Sequence, residues 1–258
     1  MNVLGIDIGG SAVKGAPVDT RSGRLLAERV KRETPDRLTP LALSRVVGDI
    51  AAQFRWRGRI GVGFPGVVQH NRTLTAANLH PRFVGFDTGA LLQKATGCRV
   101  ALLNDADAAG LAEMRFGAGR GVQGTALLLT LGTGVGSALF HGGVLVPNTE
   151  LGHLPVRGRS AERYVSTAAR KRRRMEWREW AVELGAYLRT LEMLLWPDLV
   201  IIGGGASAKN EKFFRHVRIR TPMVAAALHN QAGIVGAALW AAEQASARPA
   251  TGRTRRAG

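Results

Sequence analysis

The chain has 258 residues, of which 45% are hydrophobic and 21% charged, a composition that excludes an intrinsically disordered protein. Its 36 Lys and Arg against 19 Asp and Glu give a net charge of +17, so polyanions are candidate partners, although an Arg-rich composition explains the charge equally well. A single cysteine, Cys98, excludes an internal disulfide, and no apolar run reaches the ~18 residues of a membrane span. We therefore expect a cytoplasmic protein with one large domain or two smaller ones.

Short apolar strands and two helices are predicted for the first half of the chain. The strands are Val3 to Ile8, Ala12 to Val18, Arg24 to Val30, Ile60 to Phe64 and Arg99 to Leu103. One amphipathic helix is predicted to open at Pro35-Asp36 and to continue to Phe54. The second helix, Ala106 to Phe116, directly follows Asn104-Asp105. A polar pair between a strand and a helix lies at the strand's carboxyl end, where α/β folds place binding sites.

The second half repeats the theme of a strand followed by a glycine-rich turn. Strands are predicted at Thr125 to Leu131, Val135 to Phe140 and Leu199 to Ile202, with a loop from Pro147 to Gly158. A long helix ends before Pro197, and its apolar face includes Trp177 and Trp180, which we assign to the core. An Ala-rich helix is predicted at 232–245, and we expect disorder in the Arg-rich tail 247–258.

Three glycine turns each follow an apolar strand: Gly9-Gly10-Ser11, Gly132-Thr133-Gly134 and Gly203-Gly204-Gly205. Glycine lets backbone N–H groups converge on phosphate oxygens, so three such turns together predict a phosphate channel, whereas one alone is a plain turn. Asp7 would be costly in a buried strand unless it is paired or near a metal, and we predict that it helps to hold hydrated Mg²⁺. Lys14 is close enough along the chain to reach a phosphate, with an exposed lysine as the alternative.

Asp105 has the chemistry of a general base. Phosphoryl transfer to an alcohol needs a carboxylate that takes the hydroxyl proton and positive groups that face the phosphates. The alternative is an aspartate that only caps the following helix. Asn104 beside it favours the site, because two adjacent polar groups at a strand end can hold one substrate.

Six motifs follow one another in a fixed order. They are Gly5-Ile6-Asp7-Ile8-Gly9-Gly10-Ser11, Gly63-Phe64-Pro65-Gly66, Asn104-Asp105 before an Ala-rich helix, Leu131-Gly132-Thr133-Gly134-Val135-Gly136, Glu150-Leu151-Gly152-His153 and Ile202-Gly203-Gly204-Gly205-Ala206-Ser207. Over about residues 2 to 242 this order resembles the ROK sugar kinases (repressor, open reading frame, kinase). The resemblance implies an α/β, two-lobed actin-like ATPase (ribonuclease H-like) fold with a cleft between the lobes. The implied small lobe is 1–107 joined by the helix 232–245, and the large lobe is 108–231.

The resemblance also implies residue roles. Asp105 would take the proton of the glucose 6-hydroxyl, and the implied sugar-binding residues are Gly66, Asn78, Asn104, Asp105, Glu150, His153 and Glu162. Typical members carry a cysteine-rich zinc loop before the glutamate that Glu162 matches, with Ser166 four residues on. Here Pro155 to Arg163 has no cysteine, so no structural zinc is expected.

Within the family, the chain most resembles the branch that takes its phosphoryl group from inorganic polyphosphate and often from ATP as well. Mg²⁺ is the implied cofactor, a homodimer is the implied assembly, and no membrane or DNA partner is expected. Between Arg157 and Arg189 ten basic residues stand against four acids, and Arg170, Lys171, Arg172, Arg173 and Arg174 are our candidate polyphosphate track. A solvated helix face or a nucleic-acid patch is the alternative.

Three rival functions stay open. An ATP-dependent kinase for another hexose, such as mannose or an N-acetylated hexosamine, shares all these motifs. A sugar-responsive transcriptional repressor is disfavoured, because the first glycine strand starts at residue 2 and leaves no room for a preceding DNA-binding domain. A non-catalytic sugar- or polyanion-binding protein is disfavoured by the presence of Asp105, Glu150 and His153.

Overall fold

The computed structural model describes residues 1–35, 38–76 and 79–246, and its first half is built on a six-stranded sheet. Its elements are β1 (Asn2–Ile8), β2 (Ala12–Asp19), β3 (Arg24–Leu25), β4 (Val30–Glu33), α1 (Pro40–Gln53), β5 (Ile60–Phe64), β6 (Val68–Gln69), β7 (Arg72–Thr73), α2 (Thr88–Thr96), β8 (Val100–Asn104) and α3 (Asp105–Phe116). The sheet order is β3-β2-β1-β5-β8, with β4 also paired to β2 and with β1, β5 and β8 parallel. Strands β6 and β7 form a separate hairpin.

A five-stranded sheet forms the second half. Its elements are β9 (Thr125–Leu131), β10 (Val135–His141), β11 (Val144–Val146), β12 (Pro155–Val156), β13 (Arg159–Ser160), α4 (Glu162–Val165), α5 (Thr167–Arg172), α6 (Trp177–Leu195), β14 (Leu199–Gly203), β15 (Met223–Ala225) and α7 (Ala232–Ser246). The sheet order is β11-β10-β9-β14-β15, and β12 pairs only with β13. A 3₁₀ stretch, Gly204–Lys212, follows β14 directly. The predicted α/β class is confirmed.

Each sheet carries its own apolar core. The N-terminal core packs β1, β5 and β8 against α1 and α2, with Phe64 and Phe83 fully buried. The C-terminal core packs β9 and β14 against α6, with Trp180 fully buried. Trp177 packs against Trp180 and Phe213, with ring centroids 5.6 and 5.7 Å away. The assignment of both tryptophans to the core is confirmed.

Helix α7 returns from the end of the described chain to the N-terminal sheet, where it packs on β1, β5 and α3. Two glycines allow this close approach. A Cβ atom on Gly5 would overlap the carbonyl oxygen of Ile234, and one on Gly61 would overlap that of Ala237. The helix backbone therefore lies directly on the sheet backbone at two points.

Several predicted element bounds are wrong. The span Arg24 to Val30 is not one strand, because an exposed bend separates β3 from β4 and both pair with β2. Helix α1 starts at Pro40 rather than at Pro35-Asp36, since the Thr39 hydroxyl accepts the Ala42 N–H and caps it. The predicted loop from Pro147 to Gly158 contains a 3₁₀ turn and β12. Helix α2 and several two- or three-residue strands, β6 and β15 among them, were not predicted.

None of the helices in the described ranges combines the length and the apolar character needed to cross a bilayer.

Candidate active site

Asp105 lies where β8 meets α3, and its neighbour caps the helix. The Asn104 Oδ1 atom accepts the N–H groups of Ala106 at 2.8 Å and Asp107 at 3.1 Å, so Asn104 is the N-cap. The capping role considered for Asp105 is therefore wrong. Asp105 packs beside Gly63 of β5, and among the described residues its carboxylate accepts only the N–H of the adjacent Ala106, at 2.8 Å. The remaining lone pairs of its carboxylate can accept hydrogen bonds or a proton from a substrate.

Burial raises the pKa of Asp105 to about 7, and the negative charges of Asp7, Glu150 and Asp107 add to this effect. The charged form is disfavoured because the carboxylate has little contact with water and lies among other carboxylates. A carboxyl group with a pKa near neutrality takes a proton from an alcohol more readily than an ordinary aspartate does. The environment of Asp105 thus suits a general base.

Asp7 and Lys14 face each other across the β1–β2 pair. The two residues are in register, and the Lys14 Nζ atom lies 4.0 Å from the Asp7 Oδ2 atom. Asp7 is also in register with Gly63, which brings it next to Asp105. Burial raises the pKa of Asp7, and the Lys14 charge lowers it by less. The structure therefore brings together the predicted base, the predicted metal residue and the predicted phosphate lysine.

The donor set around Asp7 fits a hydrated Mg²⁺ ion. Mg²⁺ in phosphoryl-transfer sites keeps several waters and takes one or two carboxylates together with substrate phosphates. Asp7 and Asp105 supply two neighbouring carboxylates, and the charge of Asp7 raises the pKa of Asp105, as expected where a cation is wanted. Among the described residues no group of three or more His, Cys, Asp and Glu side chains is arranged as a metal cage.

Glu150 and His153 border a cavity of about 490 Å³. Its other lining residues come from the segment after β7 and from the 3₁₀ turn near Pro81: Leu74, Thr75, Ala76, Pro81 and Val84. The His153 Nε2 atom lies 3.4 Å from Glu150 Oε2, and the Asn104 amide donates to Glu150 Oε1 at 3.4 Å and to the Gly66 carbonyl at 3.2 Å. Four predicted sugar residues therefore meet at one place. Asn78 lies outside the described residues.

Glu162 connects this group to the second glycine turn. It is the first residue of α4, packs against Gly134 and accepts the Val135 N–H at 3.4 Å through Oε2. Its negative charge also contributes to the raised pKa of Glu150. Glu162 thus lies between the cavity and the Gly132–Gly134 turn.

The glycine turns lie at the ends of strands in the two sheets. Turns Gly132-Thr133-Gly134 and Gly203-Gly204-Gly205 end the adjacent parallel strands β9 and β14, and Gly204 packs on the Leu131 backbone. The Gly132 carbonyl accepts the Thr167 hydroxyl at 2.7 Å, so α5 holds that turn. Turn Gly9-Gly10-Ser11 joins β1 to β2 at the end of the N-terminal sheet, directly after Asp7 and Ile8, and the Thr34 hydroxyl donates to the Gly9 carbonyl at 2.7 Å.

Asp107 is a functional candidate that the sequence analysis missed. It is 1% exposed, and burial together with the charge of Glu150 raises its pKa to about 7. Its Oδ2 atom accepts the Asn148 N–H at 2.8 Å, while the Asn148 side chain bonds to both the N–H and the carbonyl of Val68. Asp107 therefore ties the loop before Glu150 to the β6–β7 hairpin. The sequence carried no clear signal for this role, because Asn148 is 41 positions away along the chain.

Some basic side chains of the run 170–174, at the end of α5 and just after it, already have partners within the protein. Arg173 makes two hydrogen bonds to Glu183, at 2.8 and 3.0 Å, and the Arg157 guanidinium lies 3.7 Å from the same carboxylate. Arg170 packs 4.0 Å from the centre of the Trp177 ring and donates to a backbone carbonyl. Lys171 and the other two arginines of the run, Arg172 and Arg174, are exposed. The candidate polyphosphate track therefore offers fewer free cations than its sequence suggests.

Comparison with known proteins identifies the family. The profile of the ROK family matches residues 3–171. A polyphosphate glucokinase of Mycobacterium tuberculosis is 45% identical over 237 residues, which are 92% of this chain and 89% of the relative.

Solved structures agree. The inorganic polyphosphate/ATP-glucomannokinase of Arthrobacter sp. strain KM superposes with a TM-score of 0.91 at 45% identity, covering 94% of this chain and 99% of that one. A ROK family glucokinase of Streptomyces griseus, solved with glucose and AMPPNP, gives a TM-score of 0.80 at 26% identity, covering 94% and 100%. The chain has the two-lobed actin-like ATPase fold of these kinases, and it belongs to the ROK family.

Proposed function

We propose that this chain is a sugar kinase that transfers a phosphoryl group from inorganic polyphosphate, and also from ATP, to O6 of glucose. The observation that carries the proposal is the position of Asp105, whose raised pKa of about 7 suits a base and whose charge couples to Glu150 at the cavity edge. Identity of 45% to a polyphosphate glucokinase supports the choice of donor and acceptor.

The sugar would occupy the cavity beside Glu150 and His153. Gly66, which bonds to Asn104, and Glu162, which acts on Glu150, are proposed sugar contacts next to it, and Asn78, which lies outside the described residues, is a further proposed sugar ligand. Asn104 would act mainly through Glu150, because its oxygen caps α3 and its amide already points to that carboxylate. Asp105 would accept the hydroxyl proton as O6 attacks the terminal phosphorus in line. Proton transfer to a held carboxylate keeps the nucleophile available without a free hydroxide.

The donor phosphates would lie against the three glycine turns, with N–H groups and the Ser11 and Thr133 hydroxyls as donors and Lys14 as the nearest cation. Asp7 would hold Mg²⁺ through water, and the ion, when bound, would neutralise negative charge on the donor phosphates.

A homodimer in the cytoplasm completes the proposal. Met193, Leu194 and Trp196 are 64, 56 and 70% exposed at the C-terminal end of α6, an apolar surface that supports self-association. Light scattering after size exclusion would give the mass, and a monomer at micromolar concentration would contradict this part.

The test is glucose 6-phosphate formation by the purified protein with Mg²⁺, run in parallel with polyphosphate and with ATP. Product from both donors is expected. Mannose should be run beside glucose, because the Arthrobacter relative is described as a glucomannokinase. Product from ATP alone would remove polyphosphate from the proposal, and sugar binding without product would favour a non-catalytic sugar-binding protein.

A further inference from the structure

A second group of cations lies along α6 and the chain that packs beside it. The segment after the 3₁₀ stretch runs beside this helix: Phe213 packs on Trp180 with ring centroids 4.9 Å apart, and the Thr221 N–H donates to Glu192 at 2.6 Å. Exposed basic side chains follow this seam. We define the α6 basic band as Arg178 on the helix and Arg215 and Arg218 on the neighbouring segment, together with Lys209 and Lys212 of the 3₁₀ stretch that precedes it.

The three arginines of the band lie close enough to one another to act on the same histidine. Desolvation lowers the pKa of His216, the charges of Arg215, Arg178 and Arg218 lower it further, and no acid is among the groups that act on it. The Arg215 Nε atom donates a hydrogen bond to His216 Nε2 at 3.1 Å, so this ring nitrogen acts as a hydrogen-bond acceptor. Within the described residues no band member lies within 4.0 Å of a carboxylate, whereas Arg157 and Arg173 both pair with Glu183. Mutual repulsion in the band would be relieved by an anion.

The band begins at the donor end of the cleft. The Gly203-Gly204-Gly205 turn leads directly into the 3₁₀ stretch that carries Lys209 and Lys212, and this stretch is kinked at Lys209. The two lysines follow Gly204 by five and eight positions, and the arginines of the band lie farther along the chain. A long chain of phosphates held at the turn would extend toward these cations.

We propose that the α6 basic band binds the distal phosphates of a polyphosphate chain whose terminal phosphate lies in the cleft. The inference rests on the proposed function and names the surface that distinguishes a polymeric donor from ATP. Arginine forks and lysines bind phosphate oxygens without reading any sequence. The aromatic rings beside the band, Trp177 and Phe213, pack into the core and offer no platform for stacked bases, which favours polyphosphate over single-stranded nucleic acid.

The test compares two triple variants of equal charge change in the full chain. The band variant is Arg178→Gln/Arg215→Gln/Arg218→Gln. The control, Arg45→Gln/Arg57→Gln/Arg120→Gln, removes three exposed arginines elsewhere that make no side-chain ion pair or hydrogen bond among the described residues. KM is measured for long-chain polyphosphate, tripolyphosphate and ATP at saturating glucose, over a series of salt concentrations.

For the band variant, KM for long polyphosphate should rise about tenfold. The slope of log KM against log salt concentration should become shallower by the amount expected for the loss of roughly two to three phosphate contacts. KM for ATP, tripolyphosphate and glucose should stay within about twofold, as should every value for the control. An equal rise in the control would assign the effect to net charge and overturn the proposal. A parallel loss with ATP would assign it to the cleft and overturn it as well.

Failure of the proposed function would look different. If the parent protein makes product from ATP and none from polyphosphate, the donor assignment fails, and binding of fluorescently labelled long polyphosphate to the sugar-free protein tests the band by itself. Binding that weakens about tenfold in the band variant alone would support the band. Unchanged binding would overturn it, and so would duplex DNA binding as tightly as polyphosphate at equal phosphate concentration.

Discussion

Asp105 shares its surroundings with three other acids, Asp7, Asp107 and Glu150, and each of them raises its proton affinity. A net charge of +17 gives no hint of such an acidic centre, and no arginine among the described residues is buried. The cluster stores electrostatic repulsion that cations and a transferred proton would relieve. Its members should therefore respond differently to substitution than exposed acids do.

Replacement of Asp105 with Asn keeps the shape of the side chain and removes the base. We expect kcat to fall by about 10²–10⁴ with the glucose dissociation constant within a few-fold of the parent, since proton transfer in the transition state is lost and binding is not. Steady-state kinetics and calorimetric glucose titration give both numbers. Asp49→Asn, at an exposed position on α1, is the matched control, and a near-normal kcat for Asp105→Asn would remove the base assignment.

The pKa of about 7 for Asp105 predicts the pH dependence of the reaction. The carboxylate is the active form, so kcat/KM for glucose at saturating donor should be level above the pKa and fall about tenfold per pH unit below it. An ordinary aspartate would keep the rate level down to about pH 4. A profile without a break between pH 5.5 and 8 would contradict the raised pKa.

Sequence reasoning found Asp105 because a polar pair follows an apolar strand, but it could not tell which member of the pair caps the helix. Only the backbone geometry shows that Asn104 takes the cap and leaves Asp105 available. Asp107 was missed because one aspartate in an Ala-rich helix has no distinguishing pattern, and its partner Asn148 lies 41 positions away. The roles of Glu150, His153 and Glu162 stay predictions.

Among the elements, the loop before Glu150 is held by Asp107, whose raised pKa of about 7 links it to stability. In the unfolded chain this carboxyl ionises near its ordinary value of 3.8, while the folded protein keeps the proton up to about pH 7. Its contribution to stability is therefore fully present below about pH 4 and is lost as the pH rises to 7.

Asp107→Asn removes this titration and keeps the oxygen that accepts the Asn148 N–H. The unfolding free energy of the variant relative to the parent should increase by on the order of 2–4 kcal/mol between pH 4 and pH 7.5. Chemical denaturation at several pH values measures the difference, and a constant difference would show that Asp107 titrates normally. If the loop positions Glu150, any residual change should appear in KM for glucose more than in kcat.

Contact between α7 and the N-terminal sheet depends on glycines that the sequence analysis did not assign. Gly61→Ala would push a methyl group into the Ala237 carbonyl, so we expect a loss of about 3 kcal/mol or more of unfolding free energy. Gly48→Ala, in the interior of α1 with its nearest neighbour 3.7 Å away, should be neutral or slightly stabilising. Thermal melts of both variants test this, and equal Tm values would contradict the close contact.

Strands such as β1, β5, β9 and β14 were predictable because mostly apolar runs that end at or near glycine turns specify buried parallel strands. Helix α2 was missed because it is only nine residues long and carries only one large buried apolar side chain, Leu92. The start of α1 was misplaced because Pro35-Asp36 and Thr39-Pro40 are both start signals, and the Thr39 hydroxyl bond decides between them. Where two local patterns predict different helix starts, the hydrogen bonds of the folded chain decide between them.

At the scale of the whole molecule, the described C-terminal helix completes the N-terminal half. A chain that ends at residue 231 would leave the face formed by β1 and β5 without its cover, and we expect it not to fold. Circular dichroism and size exclusion of this truncated chain provide the check. A cooperative melt with a native-like Tm would show that α7 is dispensable.

Helix α7 is the last described element to leave the ribosome. The N-terminal sheet of the nascent chain therefore lacks the helix that covers β1 and β5 until synthesis reaches α7. Between Asn104 and Ser246 lie 142 positions, which at 5–20 residues per second take roughly 7–30 s to synthesise. Throughout that interval the apolar surface later covered by Ile234, Val235 and Ala238 is open to solvent or to a chaperone. Slow translation of the second half should therefore lower the yield of active protein, whereas release of the complete chain should close the sheet at once.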